Sequence, residues 1–201
     1  MIYTSELDGK QIEITIDKNI KYGIMLSGGL DSAVLLYLLY INGATNIQPY
    51  TIDKADGSSM YASRVVEHLN RKFGIRLPLP ILVGDPSVHH SLQSRTALTD
   101  IFTNYSVDLL FNALNKNPDE MNELPGAPKR ATSAPPKVVL PFVDLYKTHI
   151  IELMYELGQE DLLNVTHSCT EQSIGRCGEC WQCQERAWAF KQLSKQDTGT
   201  Q

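Results

Sequence analysis

Residues 24–32 read I-M-L-S-G-G-L-D-S. An apolar run from Tyr22 to Leu26 stops at Ser27, crosses two glycines and restarts at Asp31 as an apolar segment that Gly43 ends. That order reads as a buried strand, a tight turn and a helix over Asp31–Asn42. Glycine has no side chain to hold a ligand off the backbone, and successive N–H groups in such a turn converge on an anion. The new helix adds its unpaired N–H groups and the positive end of its dipole. Ser27 and Ser32 supply hydroxyls, and Asp31 suits the site if it carries Mg2+ that itself sits on phosphate. The plain alternative is a tight turn whose aspartate merely starts the helix.

Outward from this turn, strands and helices alternate. Strands are expected at Gln11–Ile16, Ile47–Ile52, Leu79–Val83, Val107–Asn112 and Val138–Leu140, the first as a hairpin or edge after Asp8-Gly9. Helices are expected at Ser58–Lys72, Ser91–Tyr105, Tyr146–Leu157 and Cys183–Leu193, with a frayed tail from Ser194. Short connections between alternating elements predict an α/β fold, a doubly wound parallel sheet with helices on both faces. Residues 115–137, with five prolines and no periodicity, break the rhythm and read as a long loop.

The chain has 201 residues and a formal charge of −5, which argues against sequence-independent binding of nucleic acid. No stretch is long and apolar enough to span a bilayer, and no secretory signal is visible. All four cysteines lie in C-T-E-Q-S-I-G-R-C-G-E-C-W-Q-C, residues 169–183. Cys169, Cys177, Cys180 and Cys183 have the spacing of a closed tetrahedral Zn2+ site, with an iron–sulfur cluster as the alternative. Four thiols on one metal leave none for covalent catalysis or sulfur transfer. The cysteine usage predicts a reduced, cytoplasmic setting.

S-G-G-L-D-S resembles the PP-loop of the ATP pyrophosphatase superfamily, which cleaves ATP between its α- and β-phosphates. No lysine follows the glycines, so it is not the lysine-bearing phosphate loop. Together with the C-x7-C-x2-C-x2-C pattern it resembles the 7-cyano-7-deazaguanine synthase family. Leu140-Pro141-Phe142 with Leu145-Tyr146-Lys147, Thr166-His167-Ser168-Cys169 and Cys177-Gly178-Glu179-Cys180 extend the resemblance. It implies a PP-loop ATP-binding α/β domain over 1–160, and a zinc-binding segment over 161–201 packed on the same domain. It further implies ATP, Mg2+ and Zn2+ as cofactors, with Leu26, Ser27, Gly28, Gly29, Leu30, Asp31, Ser32 and Thr51 contacting the nucleotide. Ser27, Asp31, Ser32 and Lys147 become the catalytic set.

The implied substrates are a 7-carboxy-7-deazaguanine and ammonia, and the implied assembly is a homodimer. The middle of the chain departs from the family. The segments expected after the second strand and around the base are replaced, only Ser94-Arg95-Thr96 echoes one of them, and the proline-rich loop with Lys129-Arg130 stands for another. Arg95, Lys129 and Arg130 are therefore the candidates for the acceptor. Two other readings stand beside this one: a PP-loop enzyme that adenylates a different carboxylate or a tRNA base, and a non-catalytic nucleotide-binding zinc module.

Overall fold

A computed structural model describes residues 2–199. Its centre is a parallel sheet of five strands in the order β5-β4-β3-β6-β7. These are β3 (Tyr22–Met25), β4 (Ile47–Thr51), β5 (Ile81–Leu82), β6 (Leu109–Asn112) and β7 (Val138–Val139). Strands β1 (Ile2–Thr4) and β2 (Gln11–Glu13) form a separate antiparallel hairpin. The helices are α1 (Leu30–Ile41), α2 (Ser58–Phe73), α3 (His90–Asn104), α4 (Lys147–Glu156) and α5 (Trp181–Gln192).

Strand order and handedness decide where the helices lie. From β3 the chain steps to β4 and then β5 through α1 and α2, which cover one face. It then reverses through α3 to β6 on the other side of β3, and a right-handed crossover in that direction covers the opposite face. The packing agrees. Ile24, Leu26 and Phe111 join α1, α2 and α4 in one core, while Tyr50, Ile52 and Leu110 meet Ala97 and Ile101 of α3 in the other. Helix α1 is buried almost all round, as its apolar run from Ala33 onward requires. Helix α2 is amphipathic and buries Tyr61, Ala62, Val65, Val66 and Leu69. The carboxyl ends of β3 and β6 flank the point where the order reverses, the place where open α/β sheets bind ligands.

Some expected elements are shorter than the apolar pattern suggests. β5 pairs only through Ile81 and Leu82, because Pro78 and Pro80 carry no N–H for the ladder. The 115–137 loop is docked. It holds a 3-10 turn, Asp119–Met121, and buries Asn115, Asn117 and Met121. Nor is the tail frayed at Ser194: Asp197 receives hydrogen bonds from Arg176 and Arg186, and Gly199 packs against both arginines. Two arginines brought together at low exposure require an anion, and the tail supplies it.

Candidate active site

The glycine turn sits at the reversal point. Leu26 N–H donates to Tyr50 O at 2.7 Å, so the strand holds until the turn begins. The serines then knit the turn internally. Ser27 N–H donates to Ser32 Oγ at 3.2 Å, Gly29 N–H donates to Ser27 Oγ at 3.3 Å, and Ser32 donates to Gly29 O at 3.0 Å. No side chain caps α1 at Gly29, which leaves its first-turn N–H groups open.

Gly28 has φ +74°, and a Cβ there would lie 2.5 Å from Tyr61 Cβ. This glycine is required by the close approach of α2 as much as by any ligand. His167 N–H donates to Gly28 O at 2.9 Å, tying the cysteine region to the turn. Its ring stacks on Tyr61 with centroids 4.5 Å apart, and its Nε2 lies 2.7 Å from Gln172 O. Nε2 therefore carries the proton, and the buried Nδ1 has no partner.

Two joined clefts open around the turn. One, of about 280 Å3, is floored by Met25, Leu26, Thr51 and Ile52 and walled by Ala113 and Leu114. The other, of about 170 Å3, lies between the start of α1, Lys147 and the cysteine region. Ser27, Asp31, Lys54, Ser58 and Arg130 line both. Two buried oxygens here lack partners, Asp31 Oδ1 and Thr51 Oγ1. Buried polar atoms in native folds are almost always satisfied, so orphans at a cleft point to a ligand.

The charged groups form one chain. Lys147 begins α4 and its Nζ lies 2.5 Å from Asp31 Oδ2 and 3.5 Å from Glu185 Oε2. Arg130 reaches in from the proline-rich loop and grips Glu185 with both terminal nitrogens, at 2.7 and 3.0 Å. It also lies over the Trp181 ring at 4.8 Å. Asn115 Nδ2 completes the shell of Glu185 at 3.4 Å. Burial raises the Glu185 carboxyl, but the charges of Lys147 and Arg130 outweigh it and hold the group below its ordinary value. Two cations and two carboxylates balance, which makes such burial tolerable.

The structure thus brings together Ser27, Gly28, Gly29, Leu30, Asp31, Ser32, Thr51, Lys147 and Arg130. Lys129 is exposed and lines neither cleft. Arg95 lines a separate open hollow of about 570 Å3 along α3, and the neighbouring Ser94 reaches the larger cleft instead. Successive residues of a helix point about 100° apart, which separates those directions. Glu185 is missing from the sequence-based set. In Q-E-R it reads as a solvated helix glutamate, and no local signal marks its burial.

Cys169, Cys177, Cys180 and Cys183 present their sulfurs within 4.8 Å of one another. A tetrahedral ion with Zn–S bonds of about 2.3 Å places sulfurs about 3.8 Å apart, and Cys177 and Cys183 stand at 4.0 Å. The N–H groups of Glu179 and Cys180 donate to Cys177 Sγ, the support a thiolate ligand requires. The donor set fits a single metal ion. Asp197, held by Arg176 and Arg186, lies below the usual carboxylate range because those contacts outweigh its burial. The two arginines therefore neutralise the tail carboxylate, and Arg186 also donates to Ser168 Oγ beside Cys169.

Two family models match the chain, one described as Queuosine biosynthesis protein QueC over residues 116–194 and one as Asparagine synthase over residues 10–75. No curated protein sequence matches significantly. Among solved structures, the U34-tRNA thiolase NcsA from Methanococcus maripaludis with its 4Fe-4S cluster is similar with a TM-score of 0.48 and 17% identity. The superposition covers 89% of this chain and 66% of that one. The asparagine synthase match spans the glycine turn, and the QueC match spans Arg130, Lys147, Glu185 and all four cysteines. Together they support ATP-dependent chemistry of the PP-loop kind.

Proposed function

We propose that the protein is an ATP-dependent, AMP- and pyrophosphate-forming ligase that converts 7-carboxy-7-deazaguanine and ammonia to 7-cyano-7-deazaguanine. The observation that carries the ATP-dependent part is the meeting of Lys147 with Asp31, 116 residues apart in sequence, at the open N-terminus of α1. The deazapurine rests on the QueC match and on the motifs quoted above.

On this reading the larger cleft takes the nucleoside, with Thr51 Oγ1 as a polar contact, and the smaller takes the phosphates. Asp31, through its unpartnered Oδ1, would hold Mg2+, which neutralises charge on the departing pyrophosphate. The acceptor carboxylate attacks the α-phosphorus and pyrophosphate leaves. Ammonia then attacks the acyl carbon, loses a proton and displaces AMP to give the amide. The amide oxygen takes a second adenylyl group with loss of pyrophosphate, and departure of AMP with the nitrogen's remaining protons leaves the nitrile. The chain's own work is to hold phosphate charge and to align reactants.

The four cysteines are assigned to one structural Zn2+, which would fix the start of α5 and the 166–173 segment against the glycine turn. With all four thiols converging on one point, none is spare to carry a persulfide, which disfavours sulfur transfer through a free cysteine. A second copy of the chain is the only protein partner this reading calls for.

The test is release of AMP and pyrophosphate from ATP and Mg2+ with 7-carboxy-7-deazaguanine and ammonium, with mass analysis of the base. Amide or nitrile product that disappears in Asp31→Ala supports the ligase. Tight ATP binding without release for that base would move the acceptor to another carboxylate. Metal analysis should find one zinc per chain, and a brown protein with iron would overturn that assignment.

A further inference from the structure

Glu185 stands out among buried groups with no assigned role. It is 1% exposed, sits on the helix that carries Cys183, and faces the phosphate cleft. Two residues along an α-helix is a rotation of about 200°, so Glu185 points away from the metal ligands while sharing their anchor. Among the described residues, its ion-pair partners are two cations that line the cleft, Lys147 and Arg130.

The geometry around Lys147 is lopsided. Its Nζ is in close contact with Asp31 at 2.5 Å and is 3.5 Å from Glu185, near enough for attraction but not for a good hydrogen bond. Asp31 therefore has one oxygen occupied by Lys147 and one oxygen with no partner at all. As long as Lys147 stays there, it occupies one Asp31 oxygen and its positive charge opposes a cation at the other. A small shift of one flexible lysine would exchange the two carboxylates as its partner. Arg130 meanwhile holds Glu185 in place with a bidentate grip, so the waiting carboxylate stays fixed.

We propose that Glu185 is a positioning residue that takes Lys147 over from Asp31 when nucleotide binds, freeing both Asp31 oxygens for the divalent cation and retaining Lys147 beside the phosphates. This rests on the ATP-dependent reading of the cleft. It adds that the metal helix and the proline-rich loop together set the strength of the Asp31 cation site. Removing the Glu185 charge leaves Lys147 with Asp31 as its only carboxylate, so the divalent cation must compete with a tighter ion pair. The cost falls on cation affinity, with nucleotide affinity in its absence little changed.

The experiment titrates Mg2+ into zinc-loaded protein with a non-hydrolysable ATP analogue, followed by calorimetry, with no acceptor present. In Glu185→Gln the half-saturating Mg2+ concentration should rise about tenfold or more, and analogue affinity without Mg2+ should stay within about threefold. Glu185→Asp, which keeps the charge on a shorter arm, should recover part of the shift and also covers the case in which the glutamine variant folds poorly. In the Lys147→Met background the Glu185→Gln shift should vanish, because the competing lysine is gone. An unchanged Mg2+ requirement in folded Glu185→Gln, or equal shifts with and without Lys147, overturns the proposal and leaves the ATP reading standing. A wild-type protein that binds no analogue overturns that reading, and this proposal with it.

Discussion

The glycine turn and the cysteine knuckle lie side by side, joined by the bond from His167 to Gly28, yet they are built on opposite plans. In the knuckle four donor atoms face one another within 4.8 Å, and backbone N–H groups close around a sulfur. In the turn the serines satisfy each other, while Asp31 and Thr51, each with one buried oxygen lacking a partner, line a cleft beside the uncapped start of α1. The knuckle is arranged for a resident and the turn for a visitor. Damage to the first should register as lost stability, and damage to the second as lost chemistry.

The sharpest way to break that contrast is Cys183→Ser. Loss of a ligand from a structural metal site is expected to cost about 3–5 kcal/mol, lowering Tm by about 10 °C or more in a thermal melt, with metal content falling in parallel. If the variant melts like the wild type, the knuckle is not holding the fold. Asp31→Ala should do the reverse, lowering AMP release about 10²–10³-fold while Tm moves only a few degrees. Gly28→Ala blurs the line on purpose. The added carbon meets Tyr61 Cβ at 2.5 Å on a left-handed backbone, so stability should drop by about 2–3 kcal/mol together with ATP binding.

Asp197→Asn tests the tail. With its folded pKa depressed, this carboxylate contributes stability that is present above its unfolded value of about 3.9 and lost as pH falls through the lower folded value. The variant should be less stable than wild type by about 1–3 kcal/mol at pH 7. In melts at lower pH the gap should begin to close only below about 3.9 and vanish below the depressed folded value. The smallest effect is expected for Lys129→Ala, within about 0.5 kcal/mol and without change in ATP affinity, as befits an exposed side chain. A large effect there would mean that the proline-rich loop closes further than Arg130 alone indicates.

What could be read in advance divides along the same line. Both the turn and the knuckle are local patterns, carried by a few residues at fixed spacing, and the alternation of strand and helix gave the sheet. The charge chain from Asp31 to Arg130 is not local. Lys147 was reachable through a neighbouring motif, but Glu185 lies in a polar stretch of a helix whose only strong signals are Cys183 and two tryptophans. Its burial depends on Arg130 arriving from a loop with no periodicity. Arg95 lands elsewhere for a related reason: one position from Ser94 in sequence, it points to a different side of α3 and lines a different hollow. The tail misleads because its composition reads as solvent-loving, while the need of Arg176 and Arg186 for an anion is visible only in three dimensions.

The bond between His167 and Gly28 has a consequence in time. A chain emerging from the ribosome makes the glycine turn early and Lys147, His167 and Glu185 much later, so the early turn has neither its cation nor its backing. Contacts this far apart in sequence form late and slowly. The nucleotide cleft is then a property of the nearly finished molecule, and a nascent or truncated chain would carry the motif without the machinery to use ATP.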